Sequence, residues 1–314
     1  MGSFLSKSVT FHPDTDIPSL KGKVILVTGG NSGLGKQSIL ELAKHNPQEI
    51  WLGARSHKKA EEAINDIRSQ VPNAPPIKPL QMDLASFESI HEAAKSFRQQ
   101  SDRLDILLLN AGIMSVPEGK TKDGYEIQFG TNHMGHALLS KLLLPTLLKT
   151  AEQPGSDVRI VALSSSAHQY APAKDGITFS TLKTTAEDIS TITRYGQSKL
   201  ANILFAQEFA RRYPQIKVPS IMPGLVNTNL ANTMSDNSFV MRIAWKITAA
   251  VIGVDVQTGA LNQLWASTAA NVKSGEYYTP VGKTGQGKRW TSNPELAKKL
   301  WDWTEKELEG RSSK

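Results

Sequence analysis

Short apolar runs alternate along this 314-residue chain with longer stretches of helical periodicity, and a glycine-rich turn follows the first apolar run directly. Together they predict an α/β fold in which strand, helix, strand repetition winds a parallel sheet with helices on both faces. The six strand candidates are Val24 to Thr28, Ile50 to Gly53, Leu80 to Met82, Ile106 to Leu109, Val158 to Leu163, and Val218 to Met222. Each reads as a buried strand of a doubly wound sheet of about seven strands. Between them Lys36 to Lys44, Lys58 to Gln70, Ser86 to Gln100 and Gly135 to Thr150 carry helical spacing. Residues 1–20 are polar and hold Pro13 and Pro18, which predicts an extended arm. No linker or short-period repeat divides residues 21–314, so a single domain is expected.

Composition narrows the function classes. Hydrophobic content of 39% and charged content of 21% are ordinary for a globular protein. No apolar run approaches the roughly 20 residues of a transmembrane helix. Zero cysteines exclude disulfides, thiolate nucleophiles and cysteine-ligated metals, and fit a reducing compartment. The net charge of +7 comes from scattered basic residues without a nucleic-acid reader motif, so no nucleic-acid partner is expected. Met1-Gly2-Ser3-Phe4-Leu5-Ser6-Lys7 fits a Gly2 myristoylation pattern, which would add only weak, reversible membrane contact. No secretory signal is legible, and a cytoplasmic location is the expectation.

The first strand runs into Thr28-Gly29-Gly30-Asn31-Ser32-Gly33-Leu34-Gly35, which opens a helix. Glycines there let backbone approach a pyrophosphate, and the helix N-terminus turns free N–H groups towards it. Gly29, Ser32, Gly33, Leu34 and Gly35 are therefore candidate dinucleotide contacts, and the sheet is expected to be of the Rossmann type. At the end of the second strand, where a carboxylate would bind a free ribose 2′-hydroxyl, the chain reads Leu52-Gly53-Ala54-Arg55-Ser56. The planar cation of Arg55 suits a 2′-phosphate, which favours NADP over NAD; the alternative is a solvated surface arginine.

Tyr195 and Lys199, in Tyr195-Gly196-Gln197-Ser198-Lys199, stand four residues apart and share one helix face. A fixed positive charge beside a phenol favours phenolate, so the expectation is a phenol pKa drawn below its usual value of about 10. The spacing alone is common, and its other meaning is an aromatic ring resting on a lysine stem. Further segments stand at strand ends: Asp83-Leu84, Asn110-Ala111-Gly112, Ser164-Ser165-Ser166 and Pro223-Gly224-Leu225-Val226-Asn227-Thr228, with Asn132-His133-Met134-Gly135-His136 on a helix.

Read in order, these segments resemble the short-chain dehydrogenase/reductase family from about Lys23 to the carboxyl end. The resemblance implies that Tyr195 is the general acid or base and that Lys199 holds the nicotinamide ribose and lowers the phenol pKa. It implies that Ser165 polarises a substrate carbonyl, Ser164 and Ser166 being the alternatives. Asn132 would anchor a water that links Lys199 to solvent. By the same resemblance Asp83 meets the adenine, Asn110 lies near its ribose, and Val226 and Thr228 contact the nicotinamide end. Local roles are open to each: a helix N-terminal acid for Asp83, a turn residue for Asn110, a cap for Thr228. His133, His136 and His168 lack metal-ligand spacing, and packing or hydrogen bonding is expected of them rather than a metal site.

Tyr195 follows Ser165 by 30 positions, a wider gap than in the shorter family members. The polar insert Gln169 to Thr193 is expected to form a flap beside the cleft. This gap, with the Asn132 and Tyr195 segments, is similar to the retinol-dehydrogenase and WW-domain-oxidoreductase branch, although no WW domain or membrane anchor is read in this chain. Fungal relatives of that branch often serve secondary metabolism. The segment 229–256, with Met234, Phe239, Met241, Trp245 and Ile247, covers the substrate in this family. Its adaptable apolar side chains suggest a small hydrophobic carbonyl or alcohol substrate; the alternative is a core helix or subunit contact. Asn293-Pro294-Glu295 predicts a helix start, and Leu296, Leu300 and Trp303 predict a helix that closes one edge of the fold or a homodimer interface. Beside an NADP-dependent oxidoreductase stand two alternatives: a non-catalytic NADP-sensing or scaffold protein, and an epimerase or dehydratase on a related fold.

Overall fold

The computed structural model describes residues 8–224, 254–287 and 289–311. Gly2, Val226, Thr228 and nearly all of the segment 229–256 lie outside the described residues. Among the described residues the strands are β1 (Val24–Thr28), β2 (Glu49–Ala54), β3 (Ile77–Gln81), β4 (Ile106–Leu109), β5 (Arg159–Leu163), β6 (Ser220–Ile221) and β7 (Tyr277–Tyr278). They form one sheet in the order β3-β2-β1-β4-β5-β6-β7, and every neighbouring pair is parallel. The helices are α1 (Pro13–Asp16), α2 (Gly33–Ala43), α3 (His57–Gln70), α4 (Phe87–Gln100), α5 (Ile127–Phe129), α6 (Gly135–Ala151), α7 (Thr191–Arg212), α8 (Val256–Thr268) and α9 (Pro294–Glu307). This is the doubly wound, single-domain Rossmann architecture.

Both faces of the sheet are dry, and β1 displays why. Val24 and Leu26 join the apolar cluster on the side of α4, α6, α7 and α9, whereas Ile25 and Val27 join the cluster on the side of α2, α3 and α8. Successive side chains of a strand point to opposite faces, so a five-residue apolar run feeds two cores at once. Chain order reverses where β1 lies between β2 and β4, and in sheets of this kind ligands bind beyond the carboxyl ends of the strands at that point. Ser86 and Asn293 cap α4 and α9 by accepting the N–H groups of Ser89 and Leu296.

Three departures from the sequence reading have physical causes. Strand β3 begins three residues before the expected start and contains Pro79, which the sheet tolerates because β3 is an edge strand. Strand β6 shrinks to two residues beside Pro219. The insert before α7 is anchored rather than forming a free flap: Ile177 and Leu182 are buried in the core, and Phe179 meets Trp303 at 5.9 Å. Ile177 and Leu182 are buried among its few apolar residues, whereas Tyr170 at its start is exposed.

The segment before β1 also contributes to the core. Val9 N–H donates to the Val281 carbonyl, and Phe11, Ile17 and Leu20 are buried beneath it. At the other end Trp301 stacks on Phe205 of α7 with ring centroids 5.2 Å apart, while Trp303 meets Tyr125 and Phe129 edge-on. Among the described residues no helix is long and apolar enough to cross a membrane.

Candidate active site

The glycine turn is built by missing side chains. Gly29 and Gly33 have φ of +66° and +52°, in the left-handed region that favours glycine. A Cβ on Gly35 would stand 2.4 Å from the Gly29 carbonyl oxygen, and one on Gly29 would stand 3.0 Å from the Ala111 Cα. The Ser32 side chain makes no capping bond at the start of α2, so the first-turn N–H groups are left to face an anion. Leu34 is half-buried against the core, its carbonyl accepting from Gln263 of α8 at 3.1 Å. A cradle that a Cβ would fill, at an uncapped helix N-terminus, fits the pyrophosphate of a dinucleotide.

Around this turn the structure gives two predicted residues local work. The Asn110 amide donates to the carbonyls of Thr28 at 2.8 Å and Gly29 at 3.4 Å, so it braces the turn from below. One Asp83 carboxylate oxygen accepts Ala85 N–H at 2.9 Å, a turn contact where the alternative expected was a helix N-terminal acid. Arg55 is exposed two residues beyond Gly53, whose carbonyl accepts the Gly30 N–H. Among the described residues no carboxylate pairs with it.

The second half of the site converges on Gly112. A Cβ there would stand 3.3 Å from Lys199 Nζ and 3.2 Å from Asn132 Oδ1, so its absence lets β4's exit, α7 and the helix after α5 meet. Asn132 is fully buried in a π-helical turn over Gly130–Met134, a feature that often marks functional sites. Its Oδ1 accepts Ile113 N–H at 2.8 Å, and its Nδ2 donates to the Ile113 carbonyl and the Ser198 hydroxyl, both at 2.9 Å. Ser198 in turn donates to the Tyr195 carbonyl at 2.7 Å. Lys199 Nζ donates to the Leu163 carbonyl at 3.2 Å and lies 5.7 Å from the Tyr195 ring centre.

The three adjacent serines separate cleanly. The Ser164 hydroxyl is buried and donates to the Lys199 carbonyl at 2.8 Å, while Ser166 is exposed. Ser165 lies two residues beyond β5 and caps a 3-10 turn, Ser166–Tyr170, its hydroxyl accepting the Ala167 N–H at 3.1 Å; of the three it is the serine that acts on the Tyr195 phenol. His168 Nδ1 donates to the Ser165 carbonyl at 2.7 Å, and Met114, Ala167 and Ile192 surround Tyr195 with apolar surface.

Electrostatics here run against one expectation. Burial pushes the Tyr195 phenol up to about 12, with the Ser165 hydrogen bond pulling weakly the other way. Burial also lowers Lys199 to about 8. The phenol is therefore raised rather than lowered, because desolvation is the larger effect on a fully buried group. A protonated phenol at neutral pH is a proton donor in waiting.

Two further groups escaped the sequence reading. Ser198 was passed over although a hydroxyl three residues after Tyr195 faces the same side of a helix. Arg194, fully buried beside Tyr195, pairs with buried Glu126 at 3.1 Å and fastens the start of α7 to the segment before α5. No local pattern links positions so far apart.

Residues 23–188 match the short-chain dehydrogenase family model. The chain belongs to the short-chain dehydrogenase/reductase family. A short-chain dehydrogenase/reductase of Aspergillus calidoustus, drtF, is 39% identical over 94% of this chain and 96% of its own length. Human retinol dehydrogenase 13 is 40% identical over 68% of this chain and 61% of its own. The crystal structure of an uncharacterized protein from Mycobacterium Paratuberculosis superposes with a TM-score of 0.73 at 28% identity, covering 96% of this chain and 97% of that one. As a member of this family the protein is an oxidoreductase with a nicotinamide-binding fold, related to the retinol-dehydrogenase branch.

Proposed function

We propose that this protein interconverts a carbonyl and a secondary alcohol on a small hydrophobic substrate, using NADP(H), with Tyr195 as general acid and base. The observation that carries the reading is the convergence of Lys199 Nζ and Asn132 Oδ1 on the missing side chain of Gly112, with that same ammonium 5.7 Å from the Tyr195 ring centre. A bound nicotinamide supplies or takes up the hydride. In reduction the Tyr195 phenol gives its proton to the carbonyl oxygen as negative charge builds there. The Ser165 hydroxyl holds the same oxygen by a preorganised hydrogen bond. Lys199 offsets the phenolate that remains, and Asn132 anchors the water through which the proton is replaced. Oxidation runs the same transfers backwards.

Gly29, Gly33, Gly35 and the start of α2 would hold the pyrophosphate, with Ser32 and Leu34 on the turn and Asp83 and Asn110 flanking the adenosine side. Arg55 supports NADP over NAD, since an exposed guanidinium without a carboxylate partner suits a 2′-phosphate. Met114, Ala167 and Ile192 beside the phenol support an apolar substrate. Val226 and Thr228 carry the remaining nicotinamide contacts of the reading.

The test is a panel of aliphatic, aromatic and polycyclic ketones with NADPH and NADH, followed at the reduced-nicotinamide absorbance, on the parent and Tyr195→Phe. Turnover should fall by roughly 10²–10⁴ in the variant while NADPH still binds. A parent that oxidises neither cofactor across the panel, or a variant as fast as the parent, refutes it. Arg55→Ala should weaken NADPH binding more than NADH binding; equal losses would remove the cofactor preference.

A further inference from the structure

His136, 2% exposed on the first turn of α6, makes two hydrogen bonds to different halves of the site. Its Nδ1 lies 3.0 Å from the Asn132 carbonyl oxygen, and its Nε2 lies 2.9 Å from the Thr28 hydroxyl at the end of β1. A carbonyl oxygen only accepts, so Nδ1 carries the hydrogen. In a neutral ring Nε2 is then an acceptor, and the Thr28 hydroxyl donates to it at 2.9 Å in preference to the Leu108 carbonyl at 3.4 Å. That leaves Thr28 Oγ1 to accept the Ala111 N–H, which it meets at 2.9 Å. One directed chain results, from the β4 exit through Thr28 and His136 to the peptide of Asn132.

Neutrality of the ring follows from its surroundings. Burial pushes His136 down to about 3, and the titratable groups facing it, the Lys199 ammonium and the equally buried, neutral imidazole of His133, offer no counter-charge. The Asn132 carbonyl is reachable because the π turn puts the helix ladder one residue out of step, Gly135 N–H reaching back to Gly130. We propose that His136 is a positioning residue that ties the cofactor turn to the Asn132 peptide through an Nδ1-protonated imidazole. This rests on the function proposed above, in which the turn holds the dinucleotide and Asn132 serves proton replacement.

The chemistry of two amide side chains allows the ties to be cut separately. His136→Asn places an N–H near the position of Nδ1 but cannot reach Thr28, whereas His136→Gln reaches towards Thr28 and forfeits the Nδ1 donor. His136→Asn should raise the Kd for NADPH by about tenfold and lower kcat by about twofold, a tenfold change being what one hydrogen bond supplies. For His136→Gln the pattern should reverse, about tenfold in kcat and twofold in Kd. Long-range ¹H–¹⁵N spectra of the unsubstituted protein should show His136 protonated at Nδ1, bare at Nε2, and not titrating between pH 8 and 5. An Nε2-protonated or titrating ring overturns the inference, as do two variants with equal losses in Kd and kcat. The spectrum is independent of turnover, so a failed Tyr195→Phe test would overturn the proposed function without deciding the tautomer.

Discussion

Where β1 enters α2, the chain makes its site by leaving side chains out; where β5 faces α7, it makes the site by burying groups that ionise in water. At the glycine turn the decisive distances are to atoms that do not exist, 2.4 Å from a Gly35 Cβ to the Gly29 carbonyl oxygen. At the tyrosine centre the decisive quantities are the phenol held at about 12 and the ammonium lowered to about 8. Steric shape is blind to pH and intolerant of volume. Buried charge is sensitive to pH and costs stability even when it is well placed.

The largest expected effect comes from Lys199→Met. On the function proposed above it removes the charge that steadies the phenolate, so turnover should fall by roughly 10²–10⁴. The same change should stabilise the fold. The folded pKa of Lys199 is depressed from 10.5 to about 8, so between those values the unfolded chain binds the proton that the folded one releases. Below pH 8 the penalty is fully present, up to about 3 kcal/mol, and it fades as pH rises towards 10.5. Asn202 still donates to the Leu163 carbonyl at 2.9 Å, so no acceptor is orphaned. Urea unfolding at pH 7 and 10.5 checks this: the stability gain of the variant should shrink across that interval, and a constant or absent gain would contradict it.

Gly35→Ala probes the other half. A methyl against a backbone carbonyl forces the turn open, costing about 1–3 kcal/mol. Most of that should appear as weaker cofactor binding, on the order of 5- to 100-fold in Kd. Because the cause is steric, the factor should be the same at pH 6 and pH 9, measured by fluorescence titration with NADPH. A pH-dependent factor would blur the division between the two halves.

A smaller effect is expected at His133, which packs between Phe129 and Phe205 and is pushed down to about 3 by burial. Above its unfolded pKa of 6.5 it costs nothing; as pH falls from 6.5 towards 3 the unfolded chain takes up a proton that the folded chain refuses. At pH 5 that is roughly 2 kcal/mol of lost stability. His133→Leu should retain this share, so the drop in unfolding free energy between pH 7.5 and pH 5 should be smaller in the variant by a similar amount. Parallel curves for the two proteins would assign the acid sensitivity elsewhere.

What the sequence disclosed follows the same division. The glycine turn, the strand-end segments and the Tyr195 to Lys199 spacing are local patterns, and periodicity placed α2, α3, α4 and α6 within a few residues of their observed bounds. The bracing of Thr28 by His136 spans 108 positions and leaves no trace in spacing. The direction of the Tyr195 shift was misjudged for a related reason: a nearby lysine is visible in a sequence, but the depth at which both groups are buried is not. The anchoring of the insert was not legible because its polar composition conceals the buried Ile177 and Leu182.

The subtlest test joins the two styles of construction at one residue. Gly196 follows Tyr195 in α7, and a Cβ there would stand 2.4 Å from the Ala167 carbonyl oxygen and 2.9 Å from the Ala171 nitrogen. Both are backbone atoms of the segment that begins at Ser165, so here a missing side chain sets the distance between a hydroxyl and a phenol. Gly196→Ala gains about 1 kcal/mol of helix propensity and loses a similar amount or more to overpacking, so its net stability change should be small. Its effect on kcat should be about tenfold, through retreat of the Ser165 turn from Tyr195. A double-mutant cycle with Ser165→Ala decides the cause. If Gly196 acts by placing Ser165, the double variant is no slower than Ser165→Ala alone; if the two losses multiply, the glycine serves the helix and not the hydroxyl.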